Sequence, residues 1–355
     1  MNVKFSVIVP VHNGEKYIDE LMSHILEQSQ DMETSPEVIL VENGSEDDSA
    51  IICDRYAGDY EFVSALHFGK IGAYNARREG MRAATGDYLV FFDVDDGISE
   101  DLFSELEDYI SFFHDRGKRA DVILYNAASY DNRDKRLFDF PFEENKVYQD
   151  KNDFYEIMQR NDSLNALWNK ALSGTLVKRI IDQEDSGAGP EELLNHGEDL
   201  LQTAQILDLA VSIAFLDRIL YYYRENSEGL TGTYHSEALE NQARAWSAFE
   251  SFARRWSGDE YKEIIDERKT LTCCISVSKL IYSRLSGAVI KRELTAMLED
   301  PFYKQYAFGA LPDWAPEEDV FVHALMKDSQ PLKKLLSSSR SNRFRQAVKR
   351  IIRRK

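Results

Sequence analysis

The feature that most constrains this chain is a pattern repeated through its first 125 residues. A short apolar run gives way to a polar or glycine-rich turn, and then to a stretch with helical spacing. The runs are Phe5–Val11, Val38–Glu42, Val63–His67, Tyr88–Asp93 and Asp121–Tyr125. They are mostly apolar rather than strictly alternating, as strands covered on both faces must be. Helical spacing fills Glu15–Gln28, Asp47–Tyr56, Gly72–Ala84 and Asp101–Arg116. Alternation of this kind predicts an α/β fold, an open and mostly parallel sheet with helices on both faces. Such sheets hold their ligands beyond the carboxyl ends of the strands.

Four segments occupy those ends: Pro10–Gly14, Glu42–Ser45, Gly69–Gly72 and Asp93–Asp96. Turns favour Gly, Asn, Asp and Ser, so each has an ordinary account as a loop. Their convergence on one rim is what points to function. Asp93-Val94-Asp95 is the sharpest of them, because two carboxylates at the end of a buried strand need a cation or strong donors nearby. Oxygen ligands favour a hard ion such as Mg²⁺ or Mn²⁺. The other reading is that Asp93–Asp96 caps the next helix. The residues alone leave both open.

The order of motifs goes further. FSVIVPVHNGEKYI, VENGSEDDS and KIGAYNARREGMRAATGDYLVFFDVDD follow one another, then Gly197-Glu198-Asp199 and YYYRENSEGLTG. In that order they resemble the family-2 glycosyltransferases with a GT-A fold, over about residues 1–230. The resemblance implies a nucleotide-diphospho-sugar transferase domain at 1–230. A helical domain at 231–330 and a basic amphipathic tail at 331–355 lie outside it. It also implies that Asp95, with Asp93, anchors a divalent ion (Mn²⁺ or Mg²⁺) on the donor. Pro10, Val11, Glu42, Asn43 and Val94 would line the nucleotide pocket, and Lys70 and Arg77 would lie along the nucleotide-sugar. Asp199 would be the general base, with Glu198 beside it. Arg224 and Ser227 would close over the diphosphate, and Trp168 and Lys170 are marked for the acceptor side. Four positions depart from the family pattern: Glu42-Asn43 stands where two Asp are usual, and Lys70 and Arg78 replace other residues.

The same chemistry can be built from the reaction's needs. A departing diphosphate gains negative charge, which a cation and basic side chains must offset. An attacking hydroxyl must lose a proton, so a carboxylate must lie within hydrogen-bond reach, a device contributing about 10²–10⁴-fold. Asp199 at the start of a helix has an alternative, stabilisation of the helix dipole by about 0.3–1 kcal/mol. The expectation is a metal-dependent, inverting transfer from a UDP-sugar to a hydroxyl of a glycan, glycopolymer or lipid-linked acceptor. A sugar nucleotidyltransferase would need a Gly-rich basic loop after the first strand, and Val11-His12-Asn13-Gly14 lacks one. A scaffold that only binds sugars would be expected to have lost its acids, and Asp93, Asp95, Glu198 and Asp199 are present.

Net charge is -19, and the final stretch Lys333–Lys355 holds basic residues but no acid, so the rest is more acidic still. A body of that sign repels nucleic acid. The end of the chain differs. Phe344, Ala347, Val348, Ile351 and Ile352 share one helical face among Arg and Lys, a pattern suited to an anionic membrane surface. Exposed faces on the appended helices could support an oligomer. Cys53, Cys273 and Cys274 form no metal or disulfide spacing. The expected setting is the cytoplasm, peripheral on the inner face of the plasma membrane.

Overall fold

The computed structural model describes residues 2–186, 197–225 and 234–352. The chain divides into two compact units, Met1–Met158 with Asp162–Asn226, and Gln159–Asn161 with Ser227–Lys355.

The first unit begins β1 (Phe5–Val11), α1 (Ile18–Gln30), β2 (Glu37–Asn43), α2 (Ser49–Asp59), β3 (Val63–Phe68), α3 (Ala73–Ala83) and β4 (Tyr88–Phe91). It continues β5 (Gly97–Ile98), α4 (Leu102–His114), β6 (Val122–Ser129), β7 (Asn132–Arg136), β8 (Val147–Tyr148) and α5 (Asn152–Arg160). Then come β9 (Lys170–Ser173), α6 (Gly174–Asp185), α7 (Glu198–Leu209) and β10 (Ile213–Tyr223). The sheet runs β3-β2-β1-β4-β9-β6-β10-β5, with β7 on β6 and β8 on β10.

The parallel half is β3, β2, β1 and β4, as the strand–helix alternation predicts. Beyond β4 the sheet is mixed rather than mostly parallel. Strand β9 lies antiparallel between β4 and β6, and β5, β7 and β8 also pair antiparallel. The four added strands are two to five residues long, too short to carry periodicity of their own. The runs Ser212–Leu216 and Arg218–Tyr223, separated by Asp217, join in one strand, β10. Its ladder with β6 shifts register between Leu216 and Tyr221. Asp217 and Arg218 interrupt the apolar run, and at this irregularity they pair with Arg136 and with Glu105 and Glu144.

Strand β1 is central, with six of seven residues buried, and yet contains Pro10. Ile8 accepts a hydrogen bond from the Phe92 amide on the β4 side. Pro10, two residues on, faces that same side after the last register pair of β4, Ile8 with Phe91. Its missing N–H therefore costs no ladder bond. The parting of β1 and β4 opens the crevice at the carboxyl ends.

The second unit comprises α8 (Ala238–Ser257), α9 (Tyr261–Tyr282), α10 (Gly287–Glu299), α11 (Pro301–Tyr306), α12 (Glu317–Met326) and α13 (Pro331–Ile352). Its core gathers Cys273, Cys274, Val277, Leu280, Ile290, Leu294, Tyr303 and Leu335. Residues 331–355 therefore do not begin as a separate tail: Leu335 and Ser339 are fully buried, and Leu332 and Leu336 pack on the same core. No helix among the described residues is long and apolar enough to cross a membrane.

Gly80 lets α3 lie close against β1. A Cβ there would come within 2.4 Å of Ile8 Cγ2 and 3.3 Å of Val41 Cγ2. Ala in place of Gly normally stabilises a helix by about 1 kcal/mol, whereas overpacking a core costs about 1–3 kcal/mol. Gly80→Ala should lower the urea midpoint, and a raised midpoint would show that α3 can move away without loss.

Candidate active site

The carboxyl ends of β1, β2, β4 and β10 and the start of α7 meet in the first unit. Close approach there depends on small residues. A Cβ on Gly14 would lie 2.9 Å from Val94 Cγ1, and Gly44 has φ +68° with the Lys70 amide 2.6 Å from where its Cβ would be. Asn43 Oδ1 accepts from the amides of Ile71 (2.7 Å) and Gly72 (3.1 Å), fixing the loop that opens α3. An ionised Asp there would bring a charge into a buried position, which the neutral amide avoids. Glu42 is buried and accepts from the Ser45 amide at 2.5 Å.

Arg77, on α3, joins the two halves of the site. It is 5% exposed; Nη2 donates to Asp93 Oδ1 at 2.9 Å and Nη1 to Asp199 Oδ1 at 2.8 Å. One planar group thus touches the end of β4 and the first turn of α7. Burial opposes its charge, but Asp199 and Asp93 outweigh that and hold the guanidinium protonated. The resemblance points Arg77 along the donor; in the structure its two terminal nitrogens bond carboxylates.

Asp199 and Glu198 open α7 behind Gly197, which takes the left-handed φ of 85°. Every residue from Leu200 to Leu207 is buried, so the carboxylates stand on a fixed support. Burial raises the pKa of Asp199, opposed by Arg77, although 41% of the side chain stays open to the cleft. Glu198 is pushed up to about 7, by burial first and by Asp199 second.

The turn after β4 is held by a residue that the motif reading left as a cap. Asp96 is 4% exposed; it accepts from the Tyr221 hydroxyl (2.7 Å) and the Arg224 amide (2.6 Å). The Tyr221 hydroxyl in turn accepts from the Asp93 amide at 3.1 Å. Burial first, and Asp93 second, push Asp96 up to about 8. Neither Asp96 nor Tyr221 was legible as a site residue, because each acts through a partner about 125 positions away.

Other expected residues sit elsewhere in the arrangement. Val11 is fully buried in the core, so its side chain lines no pocket, and Val94 packs on the same core. Pro10 is part-buried at the crevice, and Lys70 is exposed on the loop before α3. Arg78 pairs with Glu184 at 2.6 Å. The Trp168 ring lies parallel to Tyr221, 4.7 Å between centroids, so an aromatic neighbour takes one of its faces. Lys170 departs furthest from expectation. It is 1% exposed, and its amine donates to Leu164 O, Ala166 O and Asn169 Oδ1. Burial drives it down to about 7, while three acceptor oxygens match the three N–H of an ammonium. In either form it braces the Leu164–Asn169 turn and presents nothing to an acceptor. Ser227 lies outside the described residues.

Residues 6–167 match the model of Glycosyl transferase family 2. The first unit carries a family 2 glycosyltransferase domain. The chain is thereby a transferase, and Asp199 and Arg224 lie beyond the matched segment. It is 29% identical over 240 residues to the glycosyltransferase GlyG of Streptococcus pneumoniae, spanning 66% of this chain and 74% of GlyG. It is 29% identical over 228 residues to the poly(ribitol-phosphate) beta-N-acetylglucosaminyltransferase TarS of Staphylococcus aureus, spanning 64% of this chain but only 36% of TarS. The crystal structure of TarS residues 1–349 superposes with a TM-score of 0.49 at 20% identity, covering 97% of this chain and 92% of that one.

The raised pKa of Glu198 has a consequence for stability. A carboxyl that keeps its proton longer in the folded chain contributes fully below its ordinary 4.5, and that contribution is lost as pH rises through about 7. Without divalent ions, the thermal midpoint should fall between pH 4.5 and 7, and Glu198→Gln should flatten the fall. An identical slope in the variant would contradict the burial of this charge.

Proposed function

We propose that this protein moves a sugar from a nucleotide-diphospho-sugar, a UDP-sugar, to a hydroxyl of a wall glycopolymer or lipid-linked glycan, with inversion and with a divalent ion. The observation that carries the reading is the Arg77 bridge. It brings a carboxylate of the D-x-D turn and a carboxylate at the start of α7 to one guanidinium. A donor-holding group and a proton acceptor must stand that close if one bond is to form as another breaks.

The donor set suits a hard cation. Asp93 and Asp95 offer oxygen only and are part-exposed at the crevice. Among the described residues no three or more His, Cys, Asp or Glu gather as a ligand cage. That matches Mg²⁺ or Mn²⁺ held by one or two carboxylates, with substrate phosphates and water completing the shell. Crowded acids support it too, since Asp96 is raised partly by Asp93 and Asp95. When bound, the ion would offset the charge that develops on the diphosphate.

The rest follows from the chain's own side chains. Asn43 and Glu42 fix the loops that would flank the nucleotide. Arg224, beside the D-x-D turn, would offer positive charge to the phosphates. Asp199 takes the proton of the incoming hydroxyl at the carboxylate edge that Arg77 leaves free. Burial raises the pKa of that carboxylate, which makes it a stronger proton acceptor, and the guanidinium opposes the shift by favouring the ionised form. A single base opposite the leaving diphosphate supports direct displacement and hence inversion. The name of TarS, a poly(ribitol-phosphate) beta-N-acetylglucosaminyltransferase, favours a glycopolymer of that chemical kind as acceptor. The basic residues of 333–355 would rest this enzyme on the anionic cytoplasmic leaflet.

Asp199→Asn should lower transfer at least about 10²-fold while leaving nucleotide affinity within a few-fold. Asp95→Ala should remove the Mn²⁺-dependent part of UDP binding in a calorimetric titration. Unchanged titration in the presence of Mn²⁺ would refute the D-x-D assignment. A hydrolysis screen across UDP-, GDP- and CDP-sugars tests the donor, and turnover of none would leave only a binding role. Deleting 343–355 should abolish flotation with anionic vesicles, and equal flotation would exclude the membrane contact.

A further inference from the structure

Glu20 belongs to none of the motifs above. It sits in the first turn of α1, where an acid usually serves the helix dipole. Asp19 already stands in that turn and pairs with Arg55. Glu20 does something else. Its Oε1 accepts from Arg224 Nη2 at 2.8 Å and from the hydroxyl of Tyr130, which lies between β6 and β7.

These contacts leave the Arg224 head group little freedom. Its guanidinium carbon lies 3.6 Å from the centroid of the Tyr130 ring, with Tyr17 at 5.5 Å. Nε donates to the Asp95 carbonyl at 2.7 Å. The stack therefore sets its plane, and the bonds at Nε and Nη2 set its rotation within that plane. Arg133 extends the stack, 5.0 Å from the Tyr130 ring and 4.5 Å from that of Tyr222. Gly97 makes room for it, since a Cβ there would come 2.9 Å from Tyr130. Arg224 remains 26% exposed and Glu20 36% exposed, so the assembly faces the solvent side of the site.

We propose that Glu20 is a positioning residue of the donor site. With Tyr130 it holds Arg224 in the attitude in which that side chain meets a nucleoside diphosphate beside the D-x-D turn. The inference rests on the reading of Arg224 as a phosphate-facing group. A free arginine side chain must give up its rotamers to bind an anion, and one fixed beforehand has less to lose. A bare negative charge near phosphate would act in the opposite direction, by repulsion. The two roles of Glu20 thus differ in sign.

The test is calorimetric titration of UDP with Mg²⁺ into the full chain and its variants Glu20→Ala, Glu20→Gln, Tyr130→Phe, Arg224→Ala and the Glu20→Ala/Arg224→Ala pair. Glu20→Ala should weaken UDP by about 5–20-fold and Arg224→Ala by about 10–100-fold, the range for losing charge-assisted hydrogen bonds. The pair should be no weaker than about twofold beyond Arg224→Ala alone, because Glu20 acts only through Arg224. Glu20→Gln keeps the accepting oxygen and should stay within about threefold of the unaltered chain. UDP bound equally or more tightly by Glu20→Ala, or a full additional loss in the double variant, overturns the proposal. If Glu20→Ala does not fold, Tyr130→Phe carries the test, with a loss of about 2–5-fold that vanishes in the Arg224→Ala background. Unchanged affinity in Arg224→Ala is a separate result, which removes the phosphate-facing role of Arg224 itself.

Discussion

A buried guanidinium is costly unless its charge is met, and Arg77 meets two carboxylates at once, Asp93 and Asp199. Much of the first unit can be understood as the support this contact requires. Helix α3 must lie close on the sheet for Arg77 to reach inward, which Gly80 permits. Strand β4 must end where it does, so that Asp93 turns into the crevice and β1 can carry a proline beside it. Helix α7 must be anchored along its length, and its residues from Leu200 to Leu207 are all buried. Loosening any of these would leave an uncompensated charge.

Around that bridge the acids divide into two kinds. Asp93 and Asp199 keep open side chains and share a cation, a state suited to exchanging partners with substrate. Asp96 is enclosed, bonded by the Tyr221 hydroxyl and the Arg224 amide, and burial favours its protonated form. Two acids three residues apart, Asp93 and Asp96, therefore stand in unlike environments. The difference comes from solvent access and from which neighbour arrives first. The same division explains Lys170, whose charge type suggested a ligand but whose amine is absorbed by two backbone oxygens and the Asn169 side-chain oxygen.

The family match ends at residue 167, while the site continues to Asp199 and Arg224. The later part is assembled from elements that the motif block does not include: β9 slotted antiparallel into the sheet, α7, and the irregular strand β10. Arg224 reaches back from the end of β10 to the turn after β4 and to Glu20 on α1. One side of the cleft is thus built from one continuous stretch of chain, and the other from segments about 100 to 200 residues away.

Local chemistry in the sequence determined the strand–helix alternation through Tyr125, the polar turns at the carboxyl ends, the D-x-D pair and the acids opening α7. Each is a short-range pattern, set by periodicity, turn residues or helix starts. Only the tertiary structure decided that the sheet is mixed, since strands as short as β5, β8 and β9 gain stability from neighbours rather than from their own residues. It alone decided that Arg77 bridges two acids, that Val11 and Lys170 are interior, and that Asp96, Tyr221, Tyr130 and Glu20 gather around Arg224 and the turn after β4. Those roles depend on burial and on partners remote along the chain, and a carboxylate or an amine takes its function from what the fold places against it.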